Sequence, residues 1–379
     1  MLLWIDRLLS GSFGFDLVLP LERIMLRASL AAALSFALAL ALGPRCIAWL
    51  QSRFREPNKS ASVDVARLHA GKAAMPTMGG IFILGGLVAG VLAFSDWANP
   101  YVQVTTGLTL ALAVLGAADD WIKLRTTAPG IRARSKLLFQ TLIAAAAVAV
   151  VYHQQAHGDR GVELWLPLVG RTIYLDSWCF IPWGAFVIVG SSNAVNLADG
   201  LDGLAGGCLV CAAAALAVVV YASGHAGWSS WLAIPHVEGA GELTIVAAAM
   251  AGSLLGFLWF NCHPASVFMG DVGSLPLGGL LGLLALIARQ ELLWAVIGGV
   301  FVAEAASVIL QVAFYRWRKR RLLLCAPLHH HFQIQGWGEG KIVVRFWIAA
   351  ALCAIVGLAA LKSRSADPPG WEQFTAFEH

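Results

Sequence analysis

The chain has 379 residues, 59% of them hydrophobic and only 13% charged, with a mean hydropathy of +0.73. Soluble domains carry about a quarter charged residues, so this composition excludes an ordinary soluble globular protein. The formal net charge of +4 is modest; it matters only through where the positive residues lie, and no nucleic-acid partner is expected.

Apolar runs near the length needed to cross about 30 Å of hydrocarbon recur near 24–44, 79–95, 101–118, 136–152, 178–192, 203–222, 243–260, 274–288, 291–314 and 343–361. The reading is an all-α polytopic integral membrane protein of about ten transmembrane helices, one membrane domain over residues 1–379. The opening MLLWIDRLLSGSFGF lacks a basic leader, a long apolar core and a small-residue cleavage site, so no cleaved signal peptide is expected. Between spans four and five, DRGVELWLPLVGRTIYLDSW (159–178) is rich in β-formers around Gly170-Arg171 and predicts a short external β-hairpin. After span six, ASGHAGWSSWLAIPHVEGAGE predicts a Trp-rich interfacial loop. Seven scattered cysteines give no disulfide framework, and Cys208-x-x-Cys211 reads as packing inside an apolar helix.

Of the 26 lysines and arginines, 18 lie in or beside the connections after spans 1, 3, 5, 7 and 9, and 8 lie elsewhere. The positive-inside rule makes those five connections cytoplasmic and puts both termini on the periplasmic side. The same five connections, near 45–78, 119–136, 193–203, 261–274 and 316–342, carry the unusual polar motifs: GKAAMPTMGG, DDWIK, NAVNLADGLDG, NCHPASVFMGD and APLHHHFQ. The outer connections show nothing comparable.

Five aspartates belong to this inner set: Asp119, Asp120, Asp199, Asp202 and Asp271. A carboxylate at a membrane helix end is costly unless solvated, paired or liganded. Singly each reads as a solvated cap; five together beside glycine-bearing motifs read as one polar cleft. Clustered carboxylates repel unless a cation neutralises them, and oxygen-only ligands suit Mg²⁺ or Mn²⁺ rather than Zn²⁺. Lys72, Lys123 and Lys136 flank the aspartates and attract anions. Carboxylates, a divalent cation and lysines are the equipment of phosphoryl transfer.

The spacing of Asp199 and Asp202 predicts one shared face of a helical turn, and Asn193 and Asn196 repeat it. Gly270 and Gly273 flank Asp271 in a turn-like setting at a helix start, with Ser274 as the expected cap. Phe268 suits stacking on a base or plain packing. Glu304, inside span nine, is either a functional intramembrane carboxylate or a bonded structural one. His329, His330 and His331 are adjacent, so their side chains diverge and cannot share one metal, and the His-x₃-His zinc spacing is absent. They read as hydrogen-bond donors to phosphate or sugar oxygens, or as a continuation of the basic RWRKRR run at the lipid surface.

PTMGG, DDWIKL, ARSKLLFQ, NAVNLADGLDGLAGG, FMGDVGSLPLGG and APLHHHFQ…GW…VVRFW occur in one order between about residues 22 and 361. In these six motifs the chain resembles the polyprenyl-phosphate N-acetylhexosamine-1-phosphate transferase superfamily, and within it the phospho-N-acetylmuramoyl-pentapeptide transferases, which the PLHHHF segment favours over GlcNAc-phosphate relatives. The resemblance implies Mg²⁺-dependent transfer of phospho-MurNAc-pentapeptide from UDP-MurNAc-pentapeptide to undecaprenyl phosphate. The products would be lipid I and UMP, in the first membrane step of peptidoglycan synthesis and cell-wall biogenesis. It implies a multi-pass protein of the bacterial inner membrane, with ten helices, a broken ninth, a cytoplasmic active site and a homodimeric state. By carry-over, Asp271 would bind the metal and Asp119 and Asp120 would serve the lipid phosphate. Asp199 and Asp202 would sit at the nucleotide side, with Phe268 against uracil. Lys72, Thr77, Lys123, Lys136, Asn193, Asn196 and Asn261 would contact substrate or hold the cleft. His329 and His330 would contact the donor, His329 among the catalytic set, and His331 is grouped with the substrate-binding residues. Two departures concern loop shape: Ala74-Met75 stand where the family has Gly-Thr, and GWGEGK lacks a proline after the glutamate.

Two alternatives frame this reading. One is a UDP-GlcNAc-type transferase of the same superfamily. The other is a transporter, against which the clustering of carboxylates at one face speaks, since transporter sites lie near the midplane.

Overall fold

The computed structural model describes residues 23–53, 75–126, 128–156, 162–166 and 171–361. Lys72, the start of GKAAMPTMGG and the N-terminal segment weighed as a leader lie outside the described residues. The order is α1 (Ile24–Arg53), α2 (Gly80–Phe94), α3 (Pro100–Arg125), α4 (Ala133–Gln155), β1 (Val162–Leu166), β2 (Arg171–Leu175), α5 (Ser177–Ala198), α6 (Leu204–Gly224), α7 (Ala226–Leu232), a 3₁₀ turn (Ala240–Glu242), α8 (Leu243–Asn261), α9 (Asp271–Ile287), α10 (Glu291–Ile297), α11 (Gly299–Arg318), α12 (Leu328–Ile334) and α13 (Glu339–Leu361). Among the described residues, eight helical segments are long and apolar enough to cross a membrane, and α2 and α9 are shorter apolar helices. Together they account for the ten expected spans.

The protein is an all-α membrane bundle built around α9. All seventeen residues of α9 are buried, and its neighbours include α3 and α5. At 1.5 Å per residue it spans roughly 25 Å, less than the hydrocarbon thickness, which leaves Asp271 inside the rim of the bundle. On one side α8 packs against α1, and α2 packs against both. Lipid offers no hydrophobic drive between helices, so small residues must bring backbones together. A Cβ at Gly252 of α8 would lie 2.1 Å from the Ala32 carbonyl oxygen of α1, and one at Gly256 would lie 2.6 Å from the Ala39 Cβ. This Gly-x₃-Gly stripe, with Gly43 of α1 beneath the Phe260 ring of α8, allows the α1–α8 approach.

The end remote from Asp271 is pinned by charged groups. Buried Arg27 of α1 makes a two-pronged bond to Glu242 and donates to the Phe94 carbonyl oxygen at 3.1 Å, while Asp96 N–H donates to Glu242. Arg289, just past α9, donates to Gln155 of α4 and Glu163 of β1. β1 and β2 pair antiparallel, Val162 opposite Leu175, forming the predicted hairpin. The Trp-rich connection is more ordered than a loop: it forms α7, with His225 accepting the Trp228 N–H at its start.

The ninth apolar run, 291–314, is broken at Gly298, where α10 ends and α11 begins, as the resemblance implied. The start of α9 is also shifted. Gly270, at φ 73°, is the N-cap and Asp271 the first helical residue, so Ser274 is not the cap; it donates instead to the Gly270 carbonyl oxygen.

Candidate active site

Asp119 and Asp120 close α3, and Asp271 opens α9. The two helices meet at Gly116, where a Cβ would lie 2.2 Å from the Asp271 carbonyl oxygen. Asp120 Oδ2 accepts the Val272 N–H at 3.0 Å, satisfying one of the unpaired donors at the start of α9. Asp119 Oδ1 accepts the Ile131 N–H at 2.6 Å from the connection to α4. That connection turns at Gly130, φ 113°, where a Cβ would crowd Asp119 Oδ1 at 2.7 Å.

Oxygens of Asp119, Asp120 and Asp271 lie within 4.8 Å of one another, and all three residues are buried. Their repulsion is met by two ammonium groups. Lys123, three and four residues beyond the aspartates of α3, lies 2.8 Å from Asp119 Oδ2, 3.5 Å from Asp120 Oδ1 and 3.0 Å from Asp271 Oδ2. Lys136, on the first turn of α4, contacts Asp271 Oδ2 directly and lies 3.4 Å from Asp119 Oδ2. With all five groups ionised, three carboxylates against two ammoniums leave one net negative charge. Asn196 of α5 completes the ring, donating to Asp271 Oδ1 at 2.7 Å and to Ser274 Oγ at 2.8 Å.

The PTMGG segment forms the wall beside this cluster. Phe268 N–H donates to the Pro76 carbonyl oxygen, Gly79 N–H to that of Phe268 and Gly80 N–H to that of Met269. Thr77 is buried there: a Cβ on Gly270 would meet Asp120 Oδ2 at 2.6 Å and Thr77 Oγ1 at 3.0 Å. Phe268 is half-buried. Asn193, one turn before Asn196, donates to Gln140 Oε1 of α4 and to the Val189 carbonyl oxygen.

The five aspartates do not form one cluster. α5 ends at Ala198, so Asp199 and Asp202 do not share a helical face; Gly203, at φ 79°, turns the chain into α6. Asp202 faces away from the three-aspartate cluster into a second set. Its Oδ2 lies 3.1 Å from His263 Nδ1 and accepts the Ala265 N–H, while Glu339 Oε1 accepts the Asp202 N–H. Asp202, His263 and Glu339 offer ligand atoms within 4.8 Å of one another. Asn261 is buried and occupied by backbone, accepting from Gly203 N–H and donating to the Val267 carbonyl oxygen. These bonds, with Trp347 Nε1 donating to the Gly203 carbonyl oxygen, tie three inner connections together.

The histidines lie on α12. His329 is fully buried, 3.2 Å from Glu304. His330 Nδ1 meets Gln333 Oε1 at 2.7 Å, and His331 Nδ1 accepts the Leu324 N–H. Sequence reasoning passed over His263, Glu339 and Gln140, although each stands inside a motif it quoted; only their partners reveal a role.

The three-aspartate cluster fits a hard divalent cation, since its donors are carboxylate oxygens alone. The set with His263 carries an imidazole, which suits softer cations. An acidic chamber edged by lysines, at the mouth of a membrane bundle, is suited to neutralising phosphates while keeping carboxylates at hand as bases.

Known proteins agree with this chemistry. Residues 102–289 match the family described as Glycosyl transferase family 4, a segment that runs from α3 to just past α9 and contains all three clustered aspartates. A Phospho-N-acetylmuramoyl-pentapeptide-transferase of Phenylobacterium zucineum is 40% identical over 369 residues, covering 96% of this chain and 100% of that protein. The protein of the same name in Neisseria meningitidis is 40% identical over 366 residues, with 96% and 100% covered. That of Koribacter versatilis is 46% identical over 312 residues, with 78% and 82% covered. With identity of this level along most of each chain, and the aspartate–lysine cluster within the matched segment, the chain belongs to the phospho-N-acetylmuramoyl-pentapeptide-transferase family.

Proposed function

We propose that the chain transfers phospho-MurNAc-pentapeptide from UDP-MurNAc-pentapeptide to undecaprenyl phosphate, yielding lipid I and UMP. The observation that carries this reading is the buried cluster of Asp119, Asp120 and Asp271 with Lys123 and Lys136, in a chain whose relatives carry this activity in their name. A lipid-phosphate oxygen attacks the phosphorus that bears the sugar. The bond to the uridine-side phosphate breaks, and that phosphate departs as UMP. Asp119 or Asp120 takes any proton on the attacking phosphate, and Lys123 and Lys136 offset negative charge at the reacting diphosphate.

Asp271, with Asp119 and Asp120 beside it, would hold Mg²⁺. The ion supplies charge neutralisation at a diphosphate. Asn196 bonds Asp271 Oδ1 from the opposite side and keeps Oδ2 turned toward the lysines. The Asp199–Asp202 turn and Phe268 would serve the nucleotide and the His329–His331 run the donor, while Thr77, Asn193, Asn261 and Lys72 would contact substrate or hold the cleft. The lysine and arginine distribution supports a cytoplasmic-facing site in the bacterial inner membrane, with both termini periplasmic. The single domain over 1–379 and a homodimeric state belong to the same reading.

Purified protein with undecaprenyl phosphate and Mg²⁺ tests it. UMP release is expected with UDP-MurNAc-pentapeptide, not with UDP-GlcNAc, and is expected to stop with EDTA. Folded protein that releases UMP from neither donor refutes the reading, and release from UDP-GlcNAc alone reassigns the sugar.

A further inference from the structure

Glu304 sits on α11, fully buried within a membrane-crossing helix. A charged carboxylate there is expensive unless its oxygens are bonded, and both are. Oε2 accepts the Leu328 N–H at 2.8 Å and Oε1 the His329 N–H at 3.2 Å, the first donors of α12. His329 Nδ1 also lies 3.2 Å from Oε1, in contact though short of hydrogen-bond geometry. Neither ring nitrogen of His329 makes a hydrogen bond. The ring is therefore oriented by Glu304 and by packing. Its packing partners are the His330 ring, 4.2 Å away, and Gly200. A Cβ at Gly200 would stand 2.3 Å from His329 Nε2, so the imidazole edge seats directly on the backbone of the turn that carries Asp199 and Asp202.

We infer that Glu304 is a positioning residue for the transfer reaction: through His329 it fixes the Asp199–Asp202 turn, and so governs capture of the sugar-diphosphate nucleotide rather than of the lipid phosphate. This rests on the proposed reaction. Among the described residues Glu304 bonds no cluster carboxylate or lysine; its route to the site is Glu304 to His329 to Gly200. Glu304→Gln keeps an oxygen for one of the two α12 N–H groups, sets its N–H₂ against the other, and removes the carboxylate oxygen pair beside Nδ1.

The test compares wild type, Glu304→Gln, His329→Ala and the double variant in UMP release, varying each substrate separately. Glu304→Gln is expected to lower kcat/KM for the nucleotide donor by about 10- to 100-fold, the range for partners that orient a functional histidine, and to leave KM for the lipid acceptor unchanged. In the His329→Ala background the same change is expected to cost nothing further, since the pair acts as one unit. An equal effect on both substrates, an unchanged donor kcat/KM, or the same loss in both backgrounds overturns the inference. Should Glu304→Gln fail to fold, Gly200→Ala decides. Its Cβ collides with the ring, so it should lower donor kcat/KM in the wild-type background and have no further effect with His329→Ala. A loss of equal size in the two backgrounds, or none in the first, refutes the relay. A folded wild type that releases no UMP refutes the reaction reading itself, and the inference with it, a result distinct from all of these.

Discussion

Asp271→Asn perturbs the centre of the site while preserving its shape. Asp271 Oδ2 accepts from Lys123 and Lys136, and Oδ1 accepts from Asn196. An asparagine cannot serve both sides. With its oxygen toward the lysines, its amide N–H₂ faces the Asn196 amide, donor against donor. Turned the other way, it sets N–H₂ against two ammoniums. The first orientation is the milder and forfeits one charge-assisted bond, which contributes about 1.5–3 kcal/mol, partly offset by relief of repulsion with Asp119 and Asp120. Folding stability should therefore fall by no more than about 3 kcal/mol. Turnover loses more, because the cluster loses a negative charge and an oxygen that would hold the metal. Removing one preorganised electrostatic group costs on the order of 10²–10³-fold in kcat. UMP release at saturating Mg²⁺, alongside thermal unfolding of the same preparation, measures both. Near-wild-type kcat would refute the role given to Asp271. So would a loss accounted for by unfolded protein.

Three further predictions bear on the fold and its orientation. Arg27→Met leaves the part-buried Glu242 without its guanidinium partner and should cost about 3 kcal/mol of stability, the low end for a broken buried pair, seen as a lower unfolding temperature with unchanged kcat per folded molecule. Gly252→Leu drives a side chain into the α1 backbone, whereas Gly107→Leu enters open space; only the first should abolish folded protein on size-exclusion chromatography. Cys179 and Cys262 are both exposed, at opposite ends of the bundle. A membrane-impermeant thiol reagent on intact cells should label Cys179 and spare Cys262, and the reverse pattern would invert the proposed orientation.

Much of this architecture is legible in the chain because its largest signals are local. A run of apolar residues marks a span without reference to any partner, and the hairpin follows from β-formers around a turn. Asp119, Asp120, Lys123 and Asp271 were identifiable because charged residues at membrane helix ends need a reason. What stayed hidden depends on distance along the chain. Arg27 meets Glu242 215 residues away, and nothing near either residue names the other. Asp199 and Asp202 have helical spacing, but the backbone at Gly203 ends the helix and turns Asp202 toward His263 and Glu339. His329 looks like a solvent-facing ligand in a polar motif, yet it is buried, because Glu304 receives it from inside the membrane. Residue type announces chemistry, whereas burial and partner choice are settled by packing.

The central claim is that the aspartate–lysine chamber transfers a phospho-sugar between a nucleotide and a lipid phosphate. The most direct measurement is product analysis with purified protein, UDP-MurNAc-pentapeptide labelled in the muramoyl residue, undecaprenyl phosphate and Mg²⁺. The account predicts label in a lipid-extractable product with one UMP formed for each labelled lipid, and both products formed about 10²–10³-fold more slowly by Asp271→Asn. Label that remains water-soluble, or UMP formed without labelled lipid, would contradict it.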